Sequence, residues 1–119
     1  MRIRAEQMNV FEKHIESSFT EQIIEHLHLH HSDAILGLSE EVLRERVESF
    51  KIRARSYGLT WQSSIIGFVA LCFVVGPKFD QQAQVHSVLT DPAIEPNERI
   101  QELRHRVDKR SWAQASMVN

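Results

Sequence analysis

Glu25-His26-Leu27-His28-Leu29-His30-His31 crowds four histidines into seven positions, more ligand chemistry than any other stretch of this chain offers. His26 and His30 stand four apart, so on a helix their rings point the same way, as in a zinc- or nickel-binding pair. Asp33 and Gln22 are the candidates for a third ligand. A working zinc motif adds a glutamate between its histidines or a third ligand at fixed spacing, and neither is evident. The same two rings fall on the apolar stripe of their helix, where a histidine serves as a core-edge donor to backbone carbonyls or as a pH-dependent contact. The expectation is no bound metal and no cofactor.

Other catalytic patterns are missing. Four scattered glycines form no phosphate-cradling loop, Gly-x-Ser-x-Gly does not occur, and no pair of carboxylates is isolated in apolar surroundings. Ser63 and Ser64 beside Trp61 suit hydrogen bonding in a first helical turn. The one cysteine, Cys72, lies inside the apolar run IIGFVALCFVV (Ile65 to Val75), so a buried, reduced thiol is expected, and no internal disulfide is open to it. This cysteine usage points to the cytoplasm, and the chain reads as a non-enzyme.

The elements that position these residues follow from apolar spacing. Met8, Phe11, Ile15, Phe19, Ile23 and Leu27 draw one stripe along a helix from about Ala5 to His30. Its outward side carries Glu6, Glu12, Glu16, Glu21 and Glu25 with Lys13 the only base among them. Ser39 caps a second helix whose stripe is Leu43, Val47, Phe50, Ala54 and Tyr57, with Leu38 stapling onto Leu43 and Gly58 closing the end. Thr60 caps a third from about Trp61 to Val75, which stops at Gly76-Pro77. Asp80 caps a short helix through Val85, Val88 and Leu89, and Pro96 starts a last one through Ile100, Leu103 and Val107.

The apolar run is the unusual element. Eleven residues are too few for the roughly 20 that a spanning helix requires, so no membrane is expected. The opening residues Met1 to Gln7 are basic but lack an apolar segment behind them, so no export signal is expected. Ile65, Phe68, Val69, Cys72 and Phe73 are expected to be buried, and Ile66, Ala70 and Val74 make the opposite side apolar as well. A helix apolar all round is either enclosed by its neighbours or meets another protein. Enclosure is the expectation. The fold class is therefore all-α, a compact orthogonal bundle of four to five helices with a buried central helix. A single domain spans residues 1–119, with 111–119 a frayed tail in which Trp112 and Met117 dock or project.

Lys and Arg number 14 against 16 Asp and Glu, a net charge of −2 that offers no general attraction to nucleic acid. The mixed charge on the second helix likewise disfavours a DNA-reading helix-turn-helix.

Four segments, MRIRAEQM (Met1 to Met8), ARSYGLT (Ala54 to Thr60), GPKFD (Gly76 to Asp80) and LTDP (Leu89 to Pro92), carry a resemblance. In their order the chain resembles short helical accessory proteins encoded beside type VI secretion effector and spike genes in Gram-negative bacteria. The resemblance implies a non-catalytic co-adaptor or chaperone whose partner is an effector, an adaptor or a spike protein. An immunity protein that neutralises a cognate toxin is the alternative, and a small metal- or pH-responsive protein a third. From the residues themselves, the partner-binding candidates are Glu12 and Glu16 on the acidic side of the first helix. Tyr57, Trp61 and Phe79, large rings beside helix breaks, complete that set as anchors. A homodimer is left open.

Overall fold

The computed structural model describes the backbone of residues 5–118 and the side chains of 11–118. Met1 to Arg4, the side chains of Glu6 and Met8, and Asn119 lie outside the described residues.

Six helices and no strand occur among the described residues: α1 (Ala5–His30), α2 (Glu40–Ser56), α3 (Gln62–Val74), α4 (Ala83–Leu89), α5 (Arg99–Arg106) and α6 (Lys109–Ser116). Short 3-10 turns join them at Ser32–Ile35, Phe79–Gln81 and Pro96–Glu98. The all-α bundle is thus the observed architecture, with six helices where four or five are expected, because the last helix divides at Val107-Asp108. Val107 has extended backbone, and Asp108 starts a new helix by accepting from the Ser111 N–H at 2.7 Å. Ser111 and Ala115 are buried and Trp112 packs on the core, so most of the segment expected to fray is a docked helix.

Two helix ends obey the sequence rules directly. Ser39 Oγ accepts from the Val42 N–H at 3.2 Å at the start of α2. Gly58 takes φ +88° just beyond its end, a conformation that costs other residues more. At the other starts the cap differs from the one expected. Thr60 does not cap α3; the Asn97 side chain, 37 residues onward, accepts from the backbone N–H groups of Thr60 and Trp61 at 2.9 and 2.8 Å. The Ser64 hydroxyl donates to the Asn97 carbonyl, which completes the clamp. Gln82, not Asp80, caps α4 by accepting from Val85 N–H. Asp80 is buried, taking hydrogen bonds from Tyr57 Oη at 2.7 Å and Arg53 Nη1 at 3.1 Å.

The stripe on α1 enters the core only from its middle onward. Phe19, Ile23 and Leu27 are buried, but Phe11 is 65% and Ile15 46% exposed, because the first turns of the helix run past the end of the bundle. On α3, Ile65, Phe68, Val69 and Cys72 are buried as expected, and Phe73 is half-buried against the Phe50 ring at 5.2 Å. Enclosure is incomplete, however. Helices α1, α2 and α5 pack on α3, and Gly67 lets α5 come close, since a Cβ there would stand 3.0 Å from Ile100 Cγ2. Between α1 and α5 one side of α3 is left open, and there Val74 is 52% exposed.

Candidate functional site

The open side of α3 is the floor of a cleft of about 590 Å³, within the range of sites that bury a ligand or an inserted segment. Ile66, Gly67, Ala70, Leu71 and Val74 form the floor. One wall is the end of α1, where His26 and His30 stand with His31. The other comprises Ile100, Leu103 and Arg104 of α5 and Trp112 of α6. Trp112 is held from behind by stacking on Phe79, centroids 6.5 Å apart.

The four-residue spacing of His26 and His30 does bring their rings together, at 4.8 Å between centroids, and His31 joins them at 5.4 Å from His26. Among the described residues no group of three or more His, Cys, Asp or Glu is arranged to hold a metal ion. His28 points elsewhere and meets Glu40 at 3.1 Å. Burial lowers the pKa of His26 below the ordinary histidine value, and the neighbouring His30 and His31 lower it further. The described lining therefore contributes three imidazoles and one guanidinium, and no carboxylate.

The five residues expected to bind a partner do not form one surface. Glu12 is exposed on α1, and Trp61, at the start of α3, is 55% exposed. Glu16 is instead an internal ion-pair partner: Arg55 grips it with two bonds of 2.9 and 2.8 Å, and Lys51 Nζ approaches at 3.0 Å. These contacts, Arg55 foremost, depress its pKa to about 2. Tyr57 is half-buried with its hydroxyl on Asp80, and burial followed by that hydrogen bond pushes its pKa well up. Phe79 is 0% exposed, packed on Phe68 at 5.2 Å, and so cannot be a surface anchor. A ring beside a helix break is here pulled inward, because the Phe79–Gln81 turn packs on α4 and α6 and Asp80 ties it to Arg53 of α2 and to Tyr57 at the end of that helix.

Lys51 was hidden on the charged side of α2 and is 1% exposed. Its ammonium donates to Thr20 Oγ1 at 2.7 Å and lies between Glu16 and Glu48, with the Phe19 ring 5.5 Å away. The available signal was its register: 43, 47, 50, 51 and 54 share one helical face. Cys72 is buried and free, and burial holds its thiol well above the usual range, which keeps it protonated and a poor nucleophile.

Fold and cleft together define a class, a small all-helical protein with an apolar groove edged by three histidines and one arginine. No protein-family model matches the chain, and no curated protein or solved structure matches it either. No described helix is long and apolar enough to cross a membrane.

Proposed function

We propose that this protein is a non-catalytic accessory of type VI secretion, a co-adaptor or chaperone that holds an effector or its adaptor in the cytoplasm before loading on the spike. The observation that supports a binding role is the apolar cleft along α3, where Val74 is exposed and Ile66 and Leu71 are only partly buried. The secretory context comes from the resemblance in segment order. Helix-in-groove docking is the recognition mode such a surface suits.

The test is capture of partners on the tagged full chain from its native host, read by mass spectrometry, together with secretion by a deletion strain. The reading expects an effector, adaptor or spike protein among the captured partners, with effector stability or secretion lowered by the deletion. Tight binding to a toxin domain and rescue of toxin-expressing cells would make it an immunity protein instead. Recovery of the bait alone with unchanged secretion removes the reading.

A further inference from the structure

We infer that the α3 cleft receives an amphipathic helix of the partner whose apolar stripe is flanked by carboxylates. This deepens the accessory reading and rests on it. Two observations select that occupant. The first concerns shape and polarity. Helices α1, α2 and α5 pack on the other sides of α3, and the floor from Ile66 to Val74 spans nine residues, about 12 Å at 1.5 Å per residue. One inserted helix of two to three turns would lie along this side of α3 and cover Ile66, Leu71 and Val74, which α1, α2 and α5 leave partly exposed.

The second is charge. From α1 and the turn after it, His26, His30 and His31 face the groove; from α5, Arg104 faces them across it. Helix α3 contributes no ionisable group to the lining and α6 contributes Trp112. With no carboxylate among the described lining residues, a basic helix meets Arg104 and finds no partner for its own charge, whereas Glu or Asp along the flanks of the incoming helix meets Arg104 on one side and imidazole N–H donors on the other. A docked carboxylate beside His26, which burial and its neighbours hold below the ordinary histidine value in the free chain, favours its protonated form, so the complex takes up a proton and tightens as pH falls.

The experiment uses the full chain and two fluorescein-labelled synthetic helices of about 18 residues, identical along a Leu/Val stripe but flanked by Glu in one and by Lys in the other. Anisotropy should show the Glu-flanked peptide binding at least ~10-fold more tightly near pH 6, with a smaller advantage near pH 8 and in high salt. Arg104→Glu should reduce that advantage, and Val74→Asp, a change at an exposed site, should abolish binding of both peptides while leaving the circular dichroism spectrum unchanged. Equal binding of the two peptides, preference for the Lys peptide, or binding of neither overturns the inference. So does a dimer in sedimentation equilibrium that Val74→Asp dissolves, since the occupant is then a second copy. Displacement of the Glu peptide by dodecanoate at stoichiometric concentration also overturns it, in favour of a small amphipathic anion. Failure of the accessory reading shows separately, as capture of no secretion component, and leaves the peptide ordering intact.

Discussion

Lys51 is a charged side chain buried at 1% exposure that the fold must compensate. Its ammonium is out of water yet surrounded by Thr20, Glu16 and Glu48, and the Thr20 hydroxyl in turn donates to Glu48. Removing the cation leaves two carboxylates facing each other over an empty volume. Lys51→Ala should lower stability in urea denaturation by about 2–4 kcal/mol, and Lys51→Met, which refills the space, by less. Glu16 adds an acid limit. Its pKa in the folded chain lies below the ordinary 4.5, at about 2, so its contribution is complete above about 4.5 and disappears as pH falls toward about 2. The urea midpoint of the wild type should therefore decline more steeply across that window than that of Glu16→Gln. His26 acts in the same direction at higher pH. Its lowered pKa means that the unfolded chain takes up the proton first, so stability rises with pH through the window just below the ordinary histidine value. A smaller loss of midpoint between about pH 7.5 and pH 6 in His26→Gln checks this.

At the scale of elements, the helix faces and several of the ends were legible in the sequence. The stripe of α2, the Ser39 cap, the Gly58 closure and the start of the Pro96 turn all follow from local spacing and local backbone preference. What local spacing cannot carry is a cap delivered from elsewhere in the chain. Asn97 reaches the start of α3 from the turn before α5, and Arg99 beside it donates to the carbonyls of Tyr57, Leu89 and Ile94. These two residues hold together the ends of α2, α3 and α4. Asn97→Ala should cost about 1–2 kcal/mol in urea or thermal denaturation, because two N–H groups at the start of α3 lose their acceptor. Thr60→Val, which removes the cap that sequence alone suggests, should cost less than Asn97→Ala. The division between α5 and α6 was missed for a related reason. Asp108 reads as one more charge on a mixed surface until Val107 turns the chain and frees the carboxylate to cap.

For the whole molecule, burial of the apolar run was half of the answer. Sequence shows that α3 is apolar all round; it does not show that α1 and α5 lean apart on one side of it, because that depends on how three crossing helices fit around Gly67 and Ile100. The same limit misplaced Phe79, whose ring enters the core because the turn that carries it packs on α4 and α6 and is tied to the end of α2 through Asp80. The two positions should therefore respond in opposite ways. Phe79→Ala should destabilise by about 3–5 kcal/mol, and Val74→Asp should leave the thermal midpoint nearly unchanged, as a change at a surface site does.

The central claim is that the open side of α3 is where a partner binds. The most direct measurement is paired capture from the native host with tagged wild type and tagged Val74→Asp, both verified as folded by circular dichroism, with bound proteins quantified by mass spectrometry. The account predicts that the principal partner of the wild type is depleted at least ~10-fold on Val74→Asp, while a control substitution on the outer side of α1, Glu12→Lys, retains it. Equal recovery on Val74→Asp and wild type, with loss on Glu12→Lys, would contradict it and move the binding surface to α1.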